Sequence, residues 1–180
     1  MSQVAVFIDG GYARKVNDAF PNNDICYRKF SDHVAGADIR VRTYYYDCPP
    51  YISRRPTQEE RQRQRGFDRF KTTLQRLPRF QVRLGWLQRF TLPGGDVEYR
   101  QKAVDILLML DLVRLSASRQ IQRAVLLAKD SDFVPAIDIA KDEGVIVQLY
   151  YSNPRPNMKL LDSCDETIRI DQAMMNQIQR

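Results

Sequence analysis

The chain has 180 residues, of which 43% are hydrophobic and 28% are charged, and its net charge is +6 at pH 7. This length predicts a single domain over 1–180, and no run of residues approaches the roughly 20 apolar positions that a membrane-spanning helix needs. One histidine and three scattered cysteines argue against a Ser-His-Asp or Cys-His mechanism, a zinc cluster and a disulfide framework. The first residues carry no basic region or cleavage site, so the sequence predicts no signal peptide and a cytoplasmic location.

Short apolar strands alternate with helices along the whole chain. In chain order, the patterns predict a strand at 3–8, a helix from about Tyr12, a strand at 39–46, a helix at 57–77, and strands at 80–90 and 96–100. They then predict a helix at 102–117, a strand at 123–128, a helix from Phe133 to Glu143, a strand at 145–151, a short element near Met158–Leu161, a strand at 167–170 and a final helix. This alternation predicts an α/β fold with a mainly parallel β-sheet flanked by helices on both faces.

Local signals refine three of these elements. Thr57 and Glu60 have the spacing of a capping box at the start of the long helix. The turn at 93–96, Pro-Gly-Gly-Asp, predicts a small β-hairpin insertion between the strands on either side of it. The helix at 102–117 is apolar nearly all round, which predicts that it is buried.

Acidic residues follow two of the predicted strands. Asp9 follows the first strand, and Asp130 and Asp132 follow the strand at 123–128. Ligands of parallel α/β sheets bind beyond the carboxyl ends of the strands, near a switch in strand order, so we expect these side chains to share a site. Each aspartate taken alone also suits a structural role as a turn residue or helix cap, and Asp132 suits a cap of the helix from Phe133.

Asp105 is the acidic residue near the start of the predicted buried helix. An unpaired carboxylate would cost several kcal/mol to bury there, so Asp105 needs a cation, a hydrogen-bond donor or water. Asp111 lies about 240° around the same helix, at 3.6 residues per turn, and is left out of the site. Neighbouring carboxylates raise one another's pKa values, and Mg²⁺ or Mn²⁺ removes that repulsion while orienting a water for attack on a phosphodiester. We therefore predict a catalytic metal site formed by Asp9, Asp105, Asp130 and Asp132.

Three segments resemble a known family. VAVFIDGGY, KAVDILLMLDLV and AVLLAKDSDFVPAIDIAKDEGVIV look like the NYN domain family of the PIN-like nuclease group, nearest its LabA-like branch. The likeness continues to LLDSCDETIRID and so covers nearly the whole chain. It implies a PIN-like α/β/α sandwich, an acidic cluster that binds Mg²⁺ or Mn²⁺, and RNA cleavage by metal-activated water. The family's acids fall on the four aspartates already chosen.

Two residues depart from the family pattern. Tyr12 replaces an asparagine three residues after the first aspartate, and a phenol there could hold a water or stack on a base. Lys129 replaces a glycine before the Asp-Ser-Asp segment. Its ammonium could stabilise a phosphate, or it could pair with the carboxylates and displace a cation.

Further polar residues are expected to contact the substrate. Lys102, one helical turn before Asp105, is predicted to share its face and to contact phosphate, with a solvated helix start as the alternative. Ser131 could donate to a carboxylate or a phosphate, or cap the following helix. Arg54 and Arg55 belong to a stretch in which arginines and tyrosines interleave, comprising Tyr44, Tyr45, Tyr46, Tyr51, Arg54, Arg55, Arg61, Arg63 and Arg65. This pattern favours single-stranded nucleic acid, although a solvated helix face and packed strand tyrosines explain it as well.

The leading hypothesis is a metal-dependent ribonuclease. Arginine outnumbers lysine 21 to 7, which favours a phosphate-bearing polymer as partner. The expected partner is therefore RNA, single-stranded or structured, with no membrane partner, and a homodimer is compatible with the sequence. The first alternative is an RNA-binding or regulatory protein with weak or lost catalysis, which Lys129 supports. The second is a metal-dependent phosphatase, which would need a DxD-type motif where this chain has Asp-Gly-Gly.

Overall fold

A computed structural model describes residues 1–91, 94 and 97–180, apart from the side chains at 89, 91 and 97–101. Its strands are β1 (Gln3–Asp9), β2 (Ile39–Asp47), β3 (Phe80–Leu84), β4 (Trp86–Thr91), β5 (Val97–Lys102), β6 (Arg123–Leu127), β7 (Ile146–Tyr151) and β8 (Glu166–Arg169). Its helices are α1 (Gly10–Asp18), α2 (Tyr27–Ala35), α3 (Gln58–Gln75), α4 (Val104–Ala117), α5 (Val134–Asp142), α6 (Met158–Ser163) and α7 (Gln172–Ile178), with a 3-10 turn at Ser131–Phe133.

Six strands form one parallel sheet in the order β3-β2-β1-β6-β7-β8. The chain begins in the middle of this sheet, adds strands on one side and then returns to the other side of β1. The strand order therefore switches between β1 and β6, whose paired residues include Ile8 and Leu127. A crevice forms at the carboxyl ends of the strands at such a switch, and this is where ligands of open α/β sheets bind.

The sheet separates two hydrophobic cores because side chains alternate along each strand. On β1, Phe7 faces the core beneath α4, α5 and α6, and Ile8 faces the core beneath α1, α2, α3 and α7. β6 divides its side chains in the same way, and its four residues after Arg123, together with Ala128 that follows the strand, are fully buried. The predicted α/β fold, with a mainly parallel sheet flanked by helices on both faces, is confirmed.

Local sequence signals account for several helix boundaries. The predicted capping box at the start of α3 is present, with the Thr57 side chain accepting from the Glu60 amide and the Glu60 side chain accepting from the Thr57 amide. Gly144 takes a left-handed backbone conformation with φ of 81°, which ends α5 as a glycine C-cap does. No helix in the described part of the chain has the length and hydropathy needed to cross a bilayer.

The prediction of one strand over 80–90 is wrong, because the chain divides at Gly85. β3 pairs with β2 in the main sheet, whereas β4 pairs with β5 in a separate antiparallel hairpin. A Cβ on Gly85 would meet the Lys102 carbonyl oxygen and would lie 2.7 Å from Val104 Cγ2. The backbone therefore passes too close to the start of α4 for any side chain. The hairpin insertion itself is confirmed, and its predicted turn at 93–96 falls largely outside the described residues.

Two helices differ from expectation. The sequence patterns did not predict α2, whose buried residues include Phe30 and Val34. The prediction that the helix at 102–117 is buried all round is wrong for α4, because Ile106 and Leu110 are 54% and 60% exposed. One face of α4 packs on the sheet and the other faces solvent, although both faces are apolar.

Gly10 and Gly66 provide a matched test of this packing. A Cβ on Gly10 would lie 2.6 Å from the Tyr45 hydroxyl and 2.8 Å from the Tyr46 carbonyl oxygen, so Gly10→Ala should destabilise the fold by about 1–3 kcal/mol. A Cβ on Gly66, inside α3, would meet nothing within 4 Å, so Gly66→Ala should add about 0.5–1 kcal/mol. Urea unfolding of both variants measures the two effects, and equal shifts would contradict the close approach of α1 to β2.

Candidate active site

A cavity of about 810 Å³ opens at the carboxyl edge of the sheet, at the switch between β1 and β6. Five carboxylates and three basic groups line it, together with Gly11, Tyr12, Asn17 and Val104. The charged residues are Asp9, Asp18, Asp24, Asp105, Asp130, Arg14, Lys15 and Lys129. Three of the four predicted catalytic aspartates therefore line one cavity, although they come from a strand end, a helix start and a loop. Asp132 is not among the lining residues.

Asp9 ends β1 and caps α1. Its Oδ1 accepts hydrogen bonds from the Gly11 amide at 2.9 Å and the Tyr12 amide at 3.2 Å, which fixes this oxygen at the helix N-terminus. Burial, followed by the charge of Asp105, raises the pKa of Asp9 to about 6. The two amide bonds oppose that rise and do not cancel it. Asp9 thus combines a structural role as a cap with a carboxyl group that titrates near neutral pH.

Asp105 is exposed in the first turn of α4, which contradicts its expected burial in an apolar helix. Its side chain forms no hydrogen bond or ion pair with the described residues. Partial desolvation, followed by the charges of Asp130 and Asp132, raises the pKa of its carboxyl group. Asp105 therefore interacts electrostatically with Asp9 on one side and with the Asp130 segment on the other.

The buried carboxylate of α4 is Asp111, which the sequence analysis left out. Asp111 is 6% exposed, and its oxygens accept from the Tyr46 hydroxyl at 3.0 Å, Arg83 Nε at 3.1 Å and Arg114 at 3.1 Å. These donors satisfy it within the core between α4 and β2. Asp105 and Asp111 thus lie on different faces of α4, as predicted. The buried carboxylate, however, is that of Asp111 and not that of Asp105.

Asp130 caps the turn that follows β6, in place of the expected cap at Asp132. Its Oδ1 accepts from the Asp132 amide at 3.0 Å, and both side chains are exposed. Lys129 is half-buried in the cavity wall, and its ammonium forms no ion pair with the described residues. The lysine therefore leaves the neighbouring carboxylates unneutralised.

The sequence analysis missed the ion pair of Arg14 and Asp47. Asp47, at the end of β2, is 3% exposed and receives both terminal nitrogens of Arg14, at 2.6 and 3.0 Å. Asp47 holds the planar guanidinium at the cavity wall, where the Arg14 side chain remains 51% exposed. The sequence did contain one indication that Arg14 lies near the site, because Arg14 follows Asp9 by little more than one turn of α1.

Tyr12 does not have the substrate-binding role expected of it. Its ring is 1% exposed, and its hydroxyl donates toward the Ser152 and Pro154 carbonyl oxygens and accepts from the Ser152 amide, each at 3.0 Å. The phenol therefore joins α1 to the loop after β7 and is too buried to stack on a base.

Four other predicted substrate contacts, Lys102, Ser131, Arg54 and Arg55, are not among the residues that line the cavity. Lys102 ends β5 rather than opening α4, so it does not share a helical face with Asp105, and its ammonium lies 5.7 Å from the centre of the Phe90 ring. Ser131 lies between the two aspartates in the 3-10 turn. Arg54 and Arg55 are exposed in the loop before α3, and Tyr44, Tyr45 and Tyr46 are core residues, as the packing alternative held.

The carboxylates do not form a ready-made metal-binding group. Among the residues that the structure describes, no three His, Cys, Asp or Glu side chains are arranged so that they could hold a metal ion. The available donors are carboxylate oxygens, the hard ligands that Mg²⁺ and Mn²⁺ prefer. Only Oδ1 of Asp9 and of Asp130 is used by the backbone, which leaves the second oxygen of each.

Comparison with known proteins places the chain in a family. The profile of the NYN domain matches residues 3–171, nearly the whole chain. The chain belongs to the NYN domain family. The six-stranded parallel sheet of this NYN protein, with helices on both faces, agrees with the PIN-like, nuclease-type fold of that family.

A solved structure of low sequence identity agrees on the fold alone. A protein of unknown function from Vibrio parahaemolyticus superposes with a TM-score of 0.66 at 19% identity, covering 99% of this chain and 96% of that one. A candidate oxidoreductase from Parabacteroides merdae gives a TM-score of 0.35 at 12% identity, covering 94% of this chain and 31% of that one. No curated protein matches the chain.

Substitution of the two α4 aspartates should separate structure from function. Asp111→Ala leaves the buried Tyr46 hydroxyl and two guanidiniums without their acceptor, at a cost of about 3 kcal/mol. Asp105→Ala removes an exposed, unpaired carboxylate and should change stability by no more than about 0.5 kcal/mol. Urea unfolding of the metal-free protein gives both changes in the free energy of unfolding. A large loss of stability in the Asp105 variant would show that Asp105 has a structural role after all.

Asp9 should make the metal-free protein less stable as pH rises. Its pKa is about 6 in the folded protein against 3.8 as its usual value, so the unfolded chain ionises first. The protonated carboxyl group of Asp9 contributes its full stabilisation of the folded protein below pH 3.8. As pH rises through about 6 this contribution is lost, which lowers the free energy of unfolding by up to about 3 kcal/mol. Asp9→Asn, which keeps an oxygen for the α1 amides, should lack this loss. Unfolding at pH 4.5 and 7.5 in EDTA measures it, and parallel pH dependence in both proteins would disprove the assignment.

Proposed function

We propose that this NYN protein is a metal-dependent ribonuclease of the LabA-like branch, with one domain over 1–180. The observation that carries the proposal is the shared cavity of Asp9, Asp105 and Asp130, three acids from separate elements at the switch in strand order. None of these three carboxylates has a basic partner among the described residues. Structural aspartates in this protein, such as Asp47 and Asp111, have one.

The chemistry of the donors, all carboxylate oxygens, suits Mg²⁺ or Mn²⁺, although no three of them among the described residues are arranged to hold an ion. Asp9, Asp105, Asp130 and Asp132 would hold the ion through carboxylate oxygens, and Asp132 joins the set through its electrostatic interaction with Asp105. When bound, such an ion lowers the pKa of a coordinated water and neutralises charge on a phosphodiester. Burial is the main cause of the raised pKa values of Asp9 and Asp105, and the charges of neighbouring carboxylates add to it, so a cation that offsets both effects would be favoured at the site.

Basic residues of the same cavity would bind the phosphate. Arg14 is oriented by its two hydrogen bonds to Asp47 and presents a fixed positive charge at the wall. Lys129 and Lys15 add mobile ammonium groups without carboxylate partners. Ser131 can donate to a phosphate or to a neighbouring carboxylate. Arg54 and Arg55, in the loop that leaves β2 at this edge, would contact RNA farther from the cleaved bond.

RNA cleavage tests the proposal. Labelled single-stranded RNA, with DNA of the same sequence in parallel, should be cleaved in Mg²⁺ or Mn²⁺ and remain intact in EDTA. Asp130→Asn keeps an oxygen to cap the turn after β6 but loses a charged ligand, so its rate should fall by about 100-fold or more. Asp111→Asn is the matched control, since Asp111 lies in the core away from the cavity. Cleavage that persists unchanged in Asp130→Asn would refute the nuclease assignment.

The second candidate function is RNA binding without cleavage, and Lys129 is the observation that favours it. Lys129 lines the same cavity as Asp130, so its positive charge would oppose a cation bound there. Under this alternative, the protein binds RNA in EDTA and no cleavage appears with either metal.

Lys129→Gly should raise cleavage if the lysine restrains metal binding, and should lower it if the lysine stabilises phosphate. Rates measured over a series of Mn²⁺ concentrations distinguish these results, because relief of competition lowers the Mn²⁺ concentration needed for half-maximal rate. An unchanged rate and an unchanged metal requirement would exclude both roles for Lys129.

A further inference from the structure

α3 presents a row of arginines to solvent on the side opposite its core contacts. Phe70 and Leu74 turn toward the sheet, whereas Arg61, Arg65 and Arg69 are exposed at four-residue intervals. Residues four apart lie on one face of a helix, about 6 Å apart along its axis at 1.5 Å per residue. We call these three residues the arginine row. Arg63, which belongs to the same basic stretch of the sequence, lies off this face.

The arginine row has no counter-charge of its own. None of its three guanidiniums forms an ion pair with the described residues. Two of the three acids of α3 are already engaged: Asp68 pairs with Lys71 at 3.0 Å, and Glu60 accepts from Ser53 and from the Thr57 amide. The third, Glu59, is exposed in the first turn of α3 and forms no ion pair with the described residues. A row of guanidiniums without carboxylates fits a chain of anions, since each fork of donors matches a phosphate.

Two concave surfaces adjoin the arginine row. Gly66 leaves a gap between the long side chains, and a hollow of about 610 Å³ forms there beside Gln58 and Gln62. At Arg69 this surface meets an apolar groove of about 470 Å³. Its apolar lining residues include Ile25, Tyr27, Phe70, Leu74 and Leu77. A phosphate-binding row next to an apolar groove is the combination that binds single-stranded nucleic acid.

The direction of α3 connects the row to the cavity edge. β2 ends at Asp47, beside the end of β1, and the chain then passes through Arg54 and Arg55 into α3. α3 leads back to the opposite edge of the sheet, where β3 begins. The Arg61 end of the row is therefore the end nearer the carboxyl edge, and the row extends from there along the flank of the sheet.

We propose that the arginine row and the adjoining apolar groove bind single-stranded RNA outside the carboxylate cavity. The guanidiniums contact successive phosphates, and an unstacked base enters the groove next to Arg69. A duplex would keep its bases paired and away from the groove, so the surface favours single strands. The inference that the bound RNA continues into the carboxylate cavity rests on the proposed ribonuclease function. Binding of RNA to the arginine row does not depend on cleavage.

The test measures binding without cleavage. Fluorescence anisotropy in EDTA gives the Kd of a labelled uridine 20-mer as a function of salt for the wild type and for Arg61→Gln/Arg65→Gln/Arg69→Gln. The matched control, Arg119→Gln/Arg155→Gln/Arg169→Gln, removes the same charge from exposed arginines elsewhere. Three lost phosphate contacts should reduce the slope of log K against log salt by about 2, and Kd at low salt should rise about tenfold or more. The control should match the wild type.

The outcomes separate this proposal from the ribonuclease proposal. Equal slopes in the two triple variants would overturn the arginine row, whatever the wild type does to RNA in Mg²⁺. A duplex RNA bound as tightly as the single strand, and weakened equally by the substitutions, would overturn the preference for single strands. Weakened binding in the row variant, with no cleavage by the wild type in either metal, would support the row and reject the nuclease.

Discussion

Electrostatic repulsion between carboxylates at the switch between β1 and β6 is the constraint on which the site depends. Asp105 interacts with Asp9 on one side and with Asp130 and Asp132 on the other, and none of these charges is neutralised by a basic group of the described residues. Folding holds the acids near one another because Asp9 and Asp130 also cap the elements that follow their strands. The hydrogen bonds that follow β1 and β6 thus hold the carboxylates near one another, and the proposed divalent cation would relieve their repulsion.

The fold was largely predictable from the sequence, because buried parallel strands leave short apolar runs with regular spacing. β1, β2, β6 and β7 were predicted within a few residues for this reason. The failures differ in cause. α2 has no side-chain cap, but Tyr27, Phe30, Val34 and Ala35 recur at helical spacing, so its signal was present in the sequence and was missed. The division of β3 from β4 at Gly85 depends on the close approach of the Lys102 carbonyl oxygen, a contact between distant residues that no local pattern contains.

The location of the candidate site was predictable, and its details were not. Strand ends placed Asp9 and Asp130 at one edge of the sheet, and the cost of burying a carboxylate in an apolar helix pointed to Asp105, which lines the same cavity. Burial was inferred from helix composition, which cannot distinguish the exposed Asp105 from Asp111 when both faces of α4 are apolar. The bidentate pair of Arg14 and Asp47 joins α1 to β2, and Tyr12 joins α1 to the loop after β7. Such contacts arise only when the chain is folded, so the sequence carried no direct sign of them.

The central claim is that the carboxylates form one cation site. It can be tested by calorimetric titration of Mn²⁺ into the metal-free protein at pH 6, in buffers of different ionisation enthalpy. The account predicts saturable binding that releases about half a proton from Asp9, because its pKa near 6 leaves it half protonated before the ion binds. In Asp105→Asn the affinity should fall at least about tenfold. Absence of saturable binding, or equal affinity and proton release in the wild type and Asp105→Asn, would contradict the account.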